Sequence, residues 1–113
     1  MTRLLIVGDS PEMHKLRWQV ASKSSAEVFE CEDGDEVIAA FNFHRPDWVL
    51  MDVEMKRVNG LKATAALVQL HPEAKVIIVT RYPDDVTRQA AVDAGARYFL
   101  GKNDLLALRL LIG

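Results

Sequence analysis

The sequence predicts an α/β domain: one five-stranded parallel sheet, strand order 2-1-3-4-5, doubly wound with helices on both faces. Three observations carry this prediction. Short strand-like runs recur five times, at Arg3–Val7, Glu27–Cys31, Trp48–Asp52, Val76–Thr80 and Tyr98–Gly101, and each is followed by a stretch with helical periodicity. The connections between them are short, so the strands lie parallel, joined by right-handed helical crossovers. Several runs stay apolar until a polar residue ends them: Leu4–Val7 precedes Gly8-Asp9, Trp48–Met51 precedes Asp52, and Val76–Val79 precedes Thr80. In an open parallel sheet, chemistry collects at the carboxyl ends of the strands, near the point where strand order reverses.

The elements follow in order. After the first strand, Ser10-Pro11-Glu12 supplies a capping side chain, a proline for the first turn and an acid near the positive helix end. The first helix runs to about Ser22 with Met13, Leu16 and Val20 on one face, and Ser24-Ser25 breaks it. Asp33-Gly34 turns from the second strand into a helix carrying Val37, Ile38 and Phe41. Trp48–Asp52 reads as a strand buried on both faces, followed by a loop that closes at Asn59-Gly60. The third helix is expected to bury Leu61, Thr64, Ala65 and Val68, and to stop at His71-Pro72. The fourth opens at Tyr82-Pro83-Asp84 and offers only Val86, Ala90 and Ala94, so it should be the loosest element; Ala94-Gly95-Ala96 caps it. The last helix spans Asp104–Ile112.

The chain of 113 residues has the length of one domain, residues 1–113, without linker, repeat or low-complexity segment. A net charge of −2 and no Lys/Arg cluster argue against direct nucleic-acid contact. The single cysteine, Cys31, excludes an internal disulfide and reads as a small buried hydrophobe in a reducing compartment. No apolar run has the length of a signal peptide or membrane helix, so the expected location is the cytoplasm. His14, His44 and His71 are scattered and receive no role.

Order 2-1-3-4-5, that of flavodoxin-like sheets, makes strands one and three neighbours and brings Asp9 close to Asp52. Thr80 and Lys102 end strands at the same edge. Two carboxylates side by side repel, and a cation between them keeps both ionised. The donors are hard oxygens without Cys or His, which suits Mg²⁺ with retained waters rather than zinc. Lys102 adds a point charge and Thr80 a hydroxyl. Carboxylates, magnesium, ammonium and hydroxyl together form a site for a phosphoryl group, with an aspartate able to become an aspartyl phosphate.

The runs Leu4–Pro11 (LLIVGDSP), Pro46–Met55 (PDWVLMDVEM), Asn59-Gly60, Lys75–Thr80 (KVIIVT) and Ala94–Lys102 (AGARYFLGK) resemble the receiver domain of two-component response regulators, the CheY-like family. The resemblance covers essentially the whole chain. It implies that Asp52 is the phospho-acceptor, phosphorylated by a histidine kinase or phosphotransfer protein. It implies that Mg²⁺ is held by Asp9, Asp52 and the backbone carbonyl of Glu54, that Lys102 binds the phosphoryl group, and that Thr80 and Phe99 form the switch. A receiver is a signalling switch rather than an enzyme; it takes part only in its own phosphoryl transfer and loss. Partner affinity would change on the face made by the fourth helix, fifth strand and fifth helix, which could hold a second copy or an output domain, with no direct contact to DNA by this domain itself. Four positions depart from the family pattern: Gly8 stands where a second acid is usual, Arg81 where a small residue follows the switch threonine, and Lys56 and Asn103 where proline is common. Gly8 and Arg81 keep open the alternative of a degenerate receiver, an interaction module that works without phosphorylation. A flavin or nucleotide binder is a weaker third reading, because no glycine-rich phosphate loop follows a strand. Trp18 lies off the buried stripe of its helix, and the last helix carries two apolar stripes, Leu105-Leu108-Ile112 and Leu106-Leu110, of which the sheet can cover one. Where the natural chain ends relative to Gly113, and what output follows, the sequence leaves open.

Overall fold

The computed structural model describes residues 2–23 and 25–112, with the backbone alone at Leu105. The elements are β1 (Arg3–Val7), α1 (Pro11–Lys23), β2 (Glu27–Cys31), a 3₁₀ turn (Gly34–Glu36) running into α2 (Val37–His44), β3 (Trp48–Asp52), α3 (Gly60–Leu70), β4 (Val76–Thr80), α4 (Asp85–Ala94), β5 (Tyr98–Gly101) and α5 (Leu105–Ile112). All pairings are parallel and the order is β2-β1-β3-β4-β5, as the sequence predicts.

Alternation along the strands divides the core. Leu5, Val7, Val49, Met51, Val76 and Ile78 face one side and pack with Val37 and Phe41 of α2, Ala63 and Leu67 of α3, and Ala91 of α4. Leu4, Ile6, Leu50, Ile77 and Val79 face the other and pack with Met13, Leu16 and Val20 of α1 and Leu108 and Ile112 of α5. Successive strand residues point to opposite faces, so a strand apolar at every position must be covered twice.

The structure corrects several details. α3 buries Gly60, Ala63, Thr64 and Leu67, while Ala65 is exposed and Leu61 and Val68 are half-buried. Gly60 sets this phase: its backbone is pressed so closely on β3 that a Cβ there would lie 2.0 Å from the Asp52 carbonyl oxygen. Positions three, four and seven later then face inward. In α4 the buried residue is Ala91, and Val86 is 81% exposed. That helix is fastened at its C-terminal end, where Gly95 at φ +99° donates to the Ala91 and Val92 carbonyls and abuts Val68. Cys31 and Trp48 are half-buried rather than buried. Asp104 caps α5 through the Ala107 N–H rather than opening it. Ser24 of the expected helix break, the Leu105 side chain and Gly113 lie outside what is described. Among the described residues no helix is long and apolar enough to cross a membrane.

Candidate functional site

Register brings the carboxyl ends of four strands together. Val7 pairs with Met51, Asp52 with Val79, and Thr80 with Gly101. Asp52 is buried at the end of β3. Lys102, one residue past β5, reaches it across β4: Nζ donates to Asp52 Oδ1 at 3.0 Å, and its side chain is only 5% exposed. The Glu54 N–H also donates to Oδ1, at 3.2 Å. Burial raises the Asp52 carboxyl above the ordinary aspartate range; the Lys102 hydrogen bond and charge, and then the Glu54 N–H, oppose that rise without cancelling it.

Oδ2 faces the end of β1. The backbone there is Gly8 at φ +142°, and a Cβ on it would lie 2.9 Å from Asp52 Cβ and 3.3 Å from Oδ2. The missing second acid therefore reflects a backbone that leaves no space for a side chain. Asp9, next along, is exposed and its carboxylate contacts His14 Nε2 at 3.1 Å. That pairing was not anticipated for either residue. Thr80 is buried, with its hydroxyl accepting from the Tyr82 N–H at 3.2 Å and its carbonyl from the Lys102 N–H at 2.9 Å. Phe99 is half-buried against the α2–α4 side of the core, with the Arg88 guanidinium 4.9 Å from its ring centre. The structure thus joins Asp52, Lys102 and the Glu54 backbone directly. Thr80 and Asp9 stand on the adjoining strand ends, and Phe99 lies deeper on β5.

Ser10 and Asp33 were read from the sequence only as a cap and a turn, and Arg81 only as a departure beside Thr80; the structure gives all three a part. Ser10 serves as the expected cap, accepting from the Met13 N–H at 3.3 Å, but it also accepts from Lys102 Nζ at 3.3 Å and donates to Asp52 Oδ2 at 3.4 Å. Asp33, buried beyond β2, accepts from the N–H groups of Gly34 (2.8 Å), Arg57 (2.9 Å) and Val58 (2.7 Å). It ties the loop after β2 to the loop after β3. Burial alone would raise its carboxyl, but the Val58, Arg57 and Gly34 N–H groups outweigh this and hold it below the usual value. Arg81 pairs with Glu12, linking the loop after β4 to the start of α1. Applying the strand-end rule to every polar residue within three positions of a strand would have singled out Ser10, Asp33 and Arg81 alike.

A cleft of about 540 Å³ is lined by Asp9, Ser10, Pro11, Glu32, Asp33 and Glu54 through Arg57, with Asp52 itself buried outside that lining. Among the described residues no three acidic, His or Cys side chains are grouped to hold a metal by themselves. Asp9, Asp52 and the Glu54 carbonyl offer oxygens of the hard kind that Mg²⁺ takes together with retained waters, while the Asp9 carboxylate is engaged with His14 Nε2 in this structure. Asp52 Oδ2, contacted by Ser10 only at the long distance above, has lone pairs to offer such an ion.

The family model described as response regulator receiver domain matches residues 4–110. This chain belongs to that family. It is 31% identical over 101 residues to the chemotaxis protein CheY of Thermotoga maritima, covering 88% of this chain and 84% of that protein. Among solved structures, a LuxR-family two-component response regulator from Aurantimonas sp. SI85-9A1 superposes with a TM-score of 0.89 at 25% identity, over 97% of this receiver and 81% of that chain. The response regulator TrrA from Thermotoga maritima, solved in complex with Mg²⁺-BeF, gives a TM-score of 0.83 at 24% identity over 98% and 97% of the two chains. The chain is thus a receiver domain of the two-component systems, with the CheY-like arrangement of five strands and five helices.

Proposed function

We propose that residues 1–113 form a single receiver domain in which Asp52 accepts a phosphoryl group from a histidine kinase or phosphotransfer protein. The buried contact of 3.0 Å between Lys102 and Asp52 carries this reading. An ammonium and a main-chain N–H converge on one carboxylate oxygen, so the donors that balance Asp52 are already aimed where phosphoryl oxygens would arrive. An Asp52 oxygen attacks phosphorus, a new O–P bond forms, and the P–N bond to the donor imidazole breaks with its electron pair leaving on nitrogen. The imidazole then takes a proton from solvent. Magnesium bound by Asp9, Asp52 and the Glu54 carbonyl would offset the negative charge gathered there.

The added charge draws the Thr80 hydroxyl away from the Tyr82 N–H, and Phe99 turns into the space that opens. Partner affinity then changes on the face of α4, β5 and α5, where Val86, Val92, Tyr98, Leu106 and Leu110 are exposed. A second copy or an output domain binding there fits the known design of response regulators, and a cytoplasmic location fits a kinase partner.

One observation favours a second reading, a receiver that acts without phosphorylation: Gly8 excludes a second acid, and Asp9 is engaged with His14. Intact-mass measurement after incubation with a small phosphodonor and Mg²⁺ separates the two. A gain of one phosphoryl group in the wild type and none in Asp52→Asn is expected. No gain in the wild type, with no detectable Mg²⁺ binding, would overturn the phosphoacceptor reading.

A further inference from the structure

Ser10 holds a position that its role as a helix cap does not account for. A hydroxyl has one proton and two lone pairs. Here Oγ lies 3.4 Å from Asp52 Oδ2, to which it can donate, and 3.3 Å from both the Met13 nitrogen and Lys102 Nζ, from which it accepts, with the Glu12 carboxylate a competing acceptor for its one proton. Only the Met13 contact belongs to capping. The other two contacts tie the buried Lys102–Asp52 pair to the first turn of α1, ninety-two residues from Lys102 in the chain.

We propose that Ser10 is a positioning residue for phosphoryl transfer, fixing the Lys102 ammonium from one side and the Asp52 carboxylate from the other. This rests on Asp52 being the phosphoacceptor. Lys102 ends a four-carbon stem with free rotation about each bond, so one acceptor, Asp52 Oδ1, leaves its direction loosely set. A second acceptor on Ser10 confines Nζ to the line between them. The Ser10 hydroxyl, donating to Oδ2, resists rotation of the carboxylate, which keeps Oδ1 facing Lys102 Nζ and the Glu54 N–H. Positioning of this kind acts on the transition state, where charge on the moving phosphoryl group must meet donors already in place. The Ser10 O–H bond itself neither forms nor breaks.

Two substitutions separate the cap from the positioning contacts. Glycine is nearly as good an N-cap as serine but has no hydroxyl, whereas threonine keeps both. With a small phosphodonor and Mg²⁺, Ser10→Gly should lower the maximum phosphorylation rate roughly five-fold, with the donor concentration at half-maximum unchanged, and Ser10→Thr should restore it. The urea midpoint of Ser10→Gly should stay near that of the wild type. A wild-type maximum rate in Ser10→Gly would overturn the proposal. Acetylation of Lys102, located by peptide mass, gives a readout that needs no phosphorylation: the amine should react several-fold faster in Ser10→Gly than in the wild type. Equal acetylation would show that Ser10 does not hold Lys102, even in a chain whose Asp52 takes no phosphoryl group. Absence of wild-type phosphorylation alongside faster Lys102 labelling would instead defeat the phosphoacceptor reading while leaving Ser10 as the group that holds the lysine.

Discussion

Restoring the family's second acid by Gly8→Asp looks like a repair, yet the backbone predicts damage. Gly8 sits at φ +142°, a region L-residues rarely adopt, and a Cβ there would stand 2.9 Å from Asp52 Cβ and 3.0 Å from Met13 Cγ. The backbone term costs about 1–2 kcal/mol, and crowding in a packed site about 1–3 kcal/mol more. The sum, about 2–5 kcal/mol, is a large share of the 5–15 kcal/mol that a domain usually has. For a chain of this size that corresponds to a fall in Tm on the order of 10 °C. Gly8→Ala isolates strain and crowding. Gly8→Asp adds a carboxylate beside Asp52 and should lose more, by an amount that Mg²⁺ restores.

Urea unfolding followed by fluorescence of Trp18 and Trp48, with and without Mg²⁺, distinguishes these contributions. The gap between wild type and Gly8→Ala should be the same in both solutions, and the gap between Gly8→Ala and Gly8→Asp should shrink when magnesium is present. A Gly8→Ala protein with the wild-type midpoint would refute the reasoning, since it would mean that the backbone accepts a side chain and that the absence of the second acid has no structural cause.

Three further outcomes are expected. Asp33→Ala leaves three main-chain donors without their acceptor and should cost about 3 kcal/mol in urea titration. Because the folded Asp33 carboxyl lies below the ordinary value of 3.8, its stabilisation is complete above that value and is lost as pH falls through the depressed one; Asp33→Asn should remove this limb of the stability profile, and an unchanged acid limb would contradict the assignment. Glu12→Gln should leave Arg81 free to attract an anionic phosphodonor and speed uptake about two-fold, while Arg81→Ala slows it similarly, both effects fading with added salt; changes in the same direction, or independent of salt, would count against the pairing as an electrostatic control of approach. Burial first, then the acids Glu36, Asp33 and Asp35, push the Cys31 thiol up to about 12, so native Cys31 should react with a thiol reagent about a thousandfold more slowly at neutral pH than the same thiol in urea, and equal rates would rule that environment out.

The fold was legible because the three central strands, β1, β3 and β4, are apolar at nearly every position, a pattern that a doubly covered parallel sheet explains. The strand boundaries and the meeting of Lys102 with Asp52 follow from that topology. Helix phase was less legible. Of the expected stripe, Thr64 is buried, Leu61 and Val68 pack half-buried against the core and Ala65 is exposed, because the close approach of Gly60 to the Asp52 carbonyl rotates α3 so that Ala63 and Leu67 are the apolar residues facing fully inward. Val86 failed for a related reason: α4 is anchored at Gly95 against Val68, and its first turn stands clear of the sheet. Ser10 and Asp33 were hidden behind ordinary local roles, a cap and a turn, because nothing in a linear pattern says that a cap's second lone pair meets a lysine ninety-two residues away.

On the proposed phosphorylation of Asp52, the site bounds how much of a switch one phosphoryl group could drive. Asp52 and Lys102 are close to neutral together, so the incoming group brings nearly all the new charge. Moving a two-state equilibrium from 1:99 to 99:1 takes about 5.5 kcal/mol. A hydrogen bond from the Thr80 hydroxyl to a charged oxygen contributes about 1.5–3 kcal/mol, and against it stands the bond to the Tyr82 N–H that Thr80 gives up. In the proposed switch Phe99 would also leave the Arg88 guanidinium, a contact of about 0.5–1 kcal/mol in a partly exposed setting. Thr80 alone therefore falls short of a complete switch. In the proposed switch, burial of the exposed apolar residues of α4, β5 and α5 against a partner would supply part of the remainder and make the partner part of the switch: phosphorylation without one should leave a mixed population, and binding should shift it further.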